Sequence, residues 1–112
     1  MMSSASDLTA MQANADKAAA LLKALANAQR LRVLCMLADC EMSVGQIHER
    51  IPELSQSALS QHLARLREEQ LVHTRRESQT IWYSLPPGPA RDVIATLYGL
   101  YCAPASSRRK SR

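Results

Sequence analysis

Apolar side chains recur at helical spacing from the start of the chain, with Met11, Ala15, Ala18, Leu22 and Leu25 on one face. With the capping-box spacing of Thr9 and Gln12, this period predicts an amphipathic first helix from Thr9 to about Ala26. Asn27 is a suitable N-cap for a second helix, in which Leu31, Leu34, Cys35 and Ala38 fall at i, i+3, i+4 and i+7. Cys35 therefore sits on an apolar stripe.

Two short helices follow. Ser43 and Gln46 form a capping box, and Met42 and Ile47 are placed as a hydrophobic staple. Pro52 disfavours helical geometry at Ile51, so this third helix spans only about two turns. Ser55 then caps a fourth helix, with Leu54 and Leu59 as a second staple and Leu59, Leu63 and Leu66 as its inner stripe. Two capped helices joined by a tight turn at Pro52, Glu53 and Leu54 spell a helix-turn-helix.

After Leu71 the period changes from helical to alternating. Residues 71–76 and 80–85 are strand-like, the second carrying Ile81, Trp82 and Tyr83, with the polar Glu77, Ser78 and Gln79 between them. Pro86, Pro87 and Gly88 interrupt the chain before Pro89 opens a last helix, with Val93, Ile94, Leu97, Leu100 and Tyr101 on its apolar face. The expected fold is mostly α with a small β-hairpin, a winged helix-turn-helix flanked by an N-terminal and a C-terminal helix. It occupies residues 9–102 as one domain, between a flexible N-terminus at 1–8 and a flexible basic tail at 103–112.

Composition narrows the function. With 112 residues, 46% of them hydrophobic, the chain has room for one core and not two. No apolar stretch approaches the roughly 20 residues that span a bilayer, and Asp7, Asp16 and Lys23 interrupt the N-terminal run that would otherwise suggest a signal peptide. A cytoplasmic protein without a membrane partner is expected, and three cysteines, an odd number, agree with a reducing compartment. Lys and Arg outnumber Asp and Glu by 14 to 10, yet Arg108, Arg109, Lys110 and Arg112 lie in the tail, so the body is neutral. Evidence for nucleic-acid binding must come from local pattern instead.

That pattern lies on the fourth helix. With the leucines turned inward, Gln56, Ser57, Ser60, Gln61 and Arg65 face out, side chains of the kind that read base edges or hold phosphates in a major groove. A solvated helix face would look similar, and the neighbouring hairpin tips the reading toward DNA. His62 serves either helix packing or a phosphate. Arg75 and Arg76 either grip the adjacent minor groove and backbone or pair with Glu77. No nucleophile has a base arranged near it in the sequence, and there is no phosphate loop and no His-Glu-x-x-His motif, so no catalytic residue is assigned and no enzyme is expected.

The segments LLKALANAQRLRVLCML, SVGQIHERI, LSQSALSQHLARLREEQLVHTRRE and IWYSL resemble the ArsR-type bacterial repressors over residues ~15–102. The resemblance implies a homodimer built from the first and last helices, which binds an inverted repeat of double-stranded operator DNA and represses until an inducer arrives. In arsenic- and lead-type members a cysteine pair opens the third helix, where this chain has Ser43 and Gly45. In zinc-type members Asp and His line the last helix, where this chain offers Asp92 and no histidine. Neither metal site is expected, and no cofactor is. Cys35 and Cys102 instead are placed as in the thiol-switch branch of the family, which implies sensing of reactive sulfur species or oxidants through that pair. A free cysteine on an apolar stripe also serves simply as a small hydrophobe, and Cys40 departs from the branch pattern. Two alternatives stand beside this reading: a metal-responsive ArsR-type repressor using Cys35, Cys40 and Cys102, and a winged-helix protein-interaction module without specific DNA binding.

Overall fold

Local capping signals set most of the element boundaries. The computed structural model describes residues 5–102, with side chains from Leu8 onward. Helix α1 runs Ala5–Leu25, a turn longer at its start than expected. Thr9 lies inside it, because the four residues before Thr9 contain no Gly or Pro to stop the helix and a single Thr–Gln spacing does not impose a start. Helix α2, Ala28–Asp39, begins where Asn27 Oδ1 accepts the backbone N–H groups of Gln29 and Arg30 at 3.0 and 3.1 Å. Its buried residues are Val33, Leu34 and Leu37, with Leu31, Cys35 and Ala38 half-buried beside them. The inner face is thus broader than the expected stripe, since α2 packs on α5, α4 and the sheet at once.

Strand β1, Met42–Ser43, was not expected; two residues are too short to show an alternating pattern. Ser43 ends this strand and also caps α3, Val44–Arg50: its Oγ accepts the Gln46 N–H at 3.2 Å, and Gln46 Oε1 accepts the Ser43 N–H at 3.1 Å. The chain leaves α3 at Ile51, before Pro52, as the proline requires. Ser55 Oγ accepts the Ala58 N–H at 3.0 Å and starts α4, Gln56–Glu68, on which Leu59, Leu63 and Leu66 are buried. Helix α4 stops in a Schellman turn. Leu71 N–H bonds Leu66 O at 2.9 Å and Gln70 N–H bonds Arg67 O at 3.0 Å, with Gln70 in the left-handed region at φ 60° where glycine is usual.

Strands β2, His73–Glu77, and β3, Thr80–Ser84, form the expected hairpin around Ser78 and Gln79. Pairing of Met42 with Tyr83 adds β1 to the other side of β3, so the sheet is antiparallel in the order β1-β3-β2. This third strand fastens the hairpin to the start of α3. Helix α5, Pro89–Tyr101, opens with Pro89 in its first turn and returns across α2. Arg91 fixes that crossing by donating to Leu85 O at 2.6 Å and to Ala38 O at 3.0 Å.

One core joins these elements, centred on Leu34, Ile47, Ile51, Leu59, Leu63, Leu66 and Ile94, none more than 1% exposed. Helix α1 scarcely belongs to it. Every residue from Leu8 to Ala20 is exposed, and α1 reaches the core only through Leu21 and Leu25 near its end. The radius of gyration, 16.6 Å, exceeds the about 13 Å of a compact domain of this size, as a projecting helix requires. No helix among the described residues is long and apolar enough to cross a membrane.

Candidate nucleic-acid interface and thiol pair

Two groups of side chains remain after the core is accounted for. The first is the outer face of α4. Burial of Leu59, Leu63 and Leu66 turns Gln56, Ser57, Ser60, Gln61 and Arg65 into solvent, while His62 lies half-buried at the edge. Among the described residues, only Arg65 of these has a side-chain partner, Glu69 Oε2 at 3.3 Å one turn on. Arg67 is exposed on the same helix and lines a cleft with Val44, Ser60 and Tyr83; sequence reasoning passed over it because it lies between the named outward positions and the turn.

The hairpin beside α4 carries two arginines in different states. Arg75 donates from Nε to Glu41 Oε2 at 2.7 Å, from Nη2 to Glu41 Oε1 at 2.8 Å and from Nη1 to Glu77 Oε1 at 2.9 Å. Its guanidinium also lies over Trp82, 5.7 Å from the ring centre. These hydrogen bonds hold the Glu41 carboxyl below its ordinary range and push the Arg75 guanidinium up. The pairing with Glu77 that the sequence allowed is present, and the closer partner, Glu41, lies 34 residues away in sequence where no local pattern reveals it. Arg76, exposed and one residue on, forms no side-chain hydrogen bond or ion pair among the described residues.

The second group is a pair of thiols. Cys35 is half-buried on α2 and Cys102 is the exposed C-cap of α5, its N–H bonded to Tyr98 O at 2.8 Å. The crossing of α5 over α2 brings them together. Burial pushes the Cys35 thiol up, and the adjacent Cys102 adds to the shift both by its charge and by a side-chain hydrogen bond, with Asp39 contributing least. Both thiols line a cavity of about 510 Å³ together with Leu31, Arg32, Met36, Arg50, Leu97 and Tyr101. Cys40 stands apart, exposed, in a separate cleft with Glu41, Gln46 and Trp82. Among the described residues no three His, Cys, Asp or Glu side chains come together as metal ligands, so the three cysteines do not form one cluster within the chain.

A capped helix presented beside an antiparallel wing defines a winged helix-turn-helix regulator of transcription. Residues 27–74 match the family described as bacterial regulatory protein, arsR family. HlyU, a transcriptional activator of Vibrio cholerae, is 53% identical over 96 residues, covering 86% of this chain and 88% of HlyU. The solved structure of reduced HlyU from Vibrio cholerae aligns with a TM-score of 0.78 at 54% identity, covering 83% of this chain and 97% of that one. The biofilm growth-associated repressor of Agrobacterium fabrum is 43% identical over 97 residues, covering 87% of this chain and 82% of the repressor. The chain belongs to the ArsR family. It is a DNA-binding transcriptional regulator and not an enzyme.

Proposed function

We propose that this protein is a homodimeric repressor that leaves its operator when Cys35 and Cys102 become linked through sulfur. The observation that carries the proposal is the meeting of these two thiols, one on α2 and one at the end of α5, around a single cavity. The likeness to a relative described as a repressor supports repression, against HlyU, which is described as an activator, and the likeness to one solved in a form described as reduced supports sensitivity to oxidation. Dimerisation answers the exposed apolar surface of the monomer: Leu8, Met11 and Leu22 on α1, and Leu100 and Tyr101 on α5, the last two 58% and 78% exposed. On the DNA side, α4 enters the major groove with Gln56, Ser57, Ser60, Gln61 and Arg65, His62 borders a phosphate, and Arg75 and Arg76 flank the wing. Two α4 helices related by a two-fold axis fit an inverted repeat.

The chemistry starts at Cys102, the thiol open to solvent. Its thiolate attacks the central sulfur of a trisulfide R–S–S–S–R, forming an S–S bond and expelling RS⁻. The Cys35 thiolate then attacks that same sulfane sulfur and expels the second RS⁻, leaving Cys35 and Cys102 joined through one added sulfur. Two thiols are oxidised, and the donor is reduced to two thiolates. Attack on Cys102 Sγ instead expels RSS⁻ and gives a direct disulfide, which requires Cα atoms no more than about 7 Å apart.

Intact-mass analysis with gel shift tests the reading. Treated wild-type protein should gain one sulfur, lose two hydrogens and release operator DNA. Cys35→Ser and Cys102→Ser should bind DNA and ignore the donor, and Cys40→Ser should respond as wild type. Release of Cys102→Ser from DNA on treatment would exclude the pair.

A further inference from the structure

One side chain reaches from the last helix to the base of the wing. Arg91 lies half-buried in the first turn of α5, where its Nη1 donates to Leu85 O at 2.6 Å and its Nη2 to Ala38 O at 3.0 Å. Leu85 directly follows β3, and Ala38 is in the last turn of α2, shortly before the chain enters β1. The two strands pair at this same end, Met42 with Tyr83, so one guanidinium ties the roots of both. The third strand is reached as well, because Glu41, between Ala38 and β1, holds Arg75 of β2. The last four carbonyls of a helix have no partner within it, and α2 has no basic residue in its own last turn. Arg91 supplies, from another helix, the cation that this negative end favours.

We propose that Arg91 is a positioning residue for DNA binding, setting the wing against the body of the domain so that Arg76 meets a phosphate while α4 lies in the major groove. This role rests on the reading of the wing as a DNA contact and goes beyond it, since Arg91 acts through Arg76 and makes no DNA contact of its own. It is independent of the thiol pair. A planar fork serves two carbonyls from two nitrogens, which the single nitrogen of lysine does not reproduce. Without the fork the strands stay paired, but the sheet is free to tilt against α2 and α5, and the wing meets its phosphate only part of the time.

The test compares the full chain with Arg91→Lys, Arg76→Ala and the two combined, with operator affinity measured by fluorescence anisotropy over a salt series. Each wing phosphate adds about 0.9 to the slope of log affinity against log salt, so loss of both in a dimer lowers it by about 1.8. Arg76→Ala should show that full drop. Arg91→Lys should show about half of it or more although its charge is kept, and the double variant should fall no further than Arg76→Ala. A smaller folded fraction would lower affinity at every salt concentration and leave the slope alone. Trp82, the chain's one tryptophan, lies on β3 and reports on the wing without DNA. Its anisotropy decay should show added motion in Arg91→Lys. A slope and a Trp82 decay unchanged in Arg91→Lys, or drops that add in the double variant, overturns the positioning role. A wild-type slope in Arg76→Ala overturns instead the wing contact on which it rests.

Discussion

Arg75 and Arg76 are adjacent on the wing and carry the same charge, yet they should contribute unequally to DNA affinity. Arg75 is held by three hydrogen bonds to Glu41 and Glu77, so two carboxylates offset its charge locally and a phosphate must compete with them. Arg76 has no such competitor among the described residues. Each phosphate neutralised adds about 0.9 to the slope of log affinity against log salt. Arg76→Ala should therefore reduce the slope by about 1.8 for a dimer, so that between 50 and 200 mM salt the variant loses about twelvefold less affinity than wild type. Arg75→Ala should change the slope by less than half as much. Glu41→Gln, which removes the bidentate partner, should steepen it. Because these ion pairs are exposed and solvent-screened, they contribute little to stability and folding should persist in all three variants, as circular dichroism would verify. The assay is fluorescence anisotropy with operator and scrambled duplexes over a salt series. Equal slope changes for Arg75→Ala and Arg76→Ala, or no change in Glu41→Gln, would refute the idea that Glu41 restrains Arg75.

Three further outcomes are expected. Gln61→Ala should weaken operator binding by about 1–3 kcal/mol with little effect on random DNA, measured by the same anisotropy, because an exposed amide on α4 is placed for base readout. Gln70→Gly should raise stability by about 1 kcal/mol in denaturant melts, because φ at Gln70 is 60° and glycine adopts that conformation without strain. Sulfur bridging should accelerate as pH rises above neutral, because burial and the adjacent Cys102 raise the Cys35 pKa and its thiolate forms only at higher pH. The same shift lowers stability with rising pH, since above the unfolded-state pKa the folded chain holds the Cys35 proton longer than the unfolded chain does.

What the sequence revealed was governed by near neighbours. Ser43 with Gln46, Ser55 with Ala58 and Asn27 with Gln29 act within three residues, and each boundary they predicted is present. The β1 strand was hidden because its partners, Tyr83 and Trp82, lie about forty residues on, and pairing over that distance leaves no period in a two-residue segment. The clasp between Arg75 and Glu41 was hidden for the same reason. Family resemblance, and not spacing, joined Cys35 to Cys102; no periodicity relates a residue of α2 to the last turn of α5. The face of α4 was legible because the buried Leu59, Leu63 and Leu66 fix by geometry which side chains point outward.

The place of the thiol pair bears on how release would work. Helix α2 packs against both α4 and α5, so a bridge from Cys35 to Cys102 ties the end of α5 to the element that supports the recognition helix. Leu100 and Tyr101, immediately before Cys102, are the exposed residues assigned here to the partner subunit. Taking an operator from about 99% to 1% occupancy requires about 5.5 kcal/mol of discrimination, or about 2.7 kcal/mol for each half-site. Gln56, Ser60 and Gln61 lie outside the thiol cavity, so the bridge touches none of them directly. On the proposed mechanism the cost arises from the relation between subunits, which sets whether two α4 helices match successive grooves. Bridged protein should accordingly bind a single half-site as well as reduced protein does and lose affinity only for the complete inverted repeat. If bridging weakens half-site binding by the same 2.7 kcal/mol, α4 itself is distorted and the intersubunit mechanism is wrong.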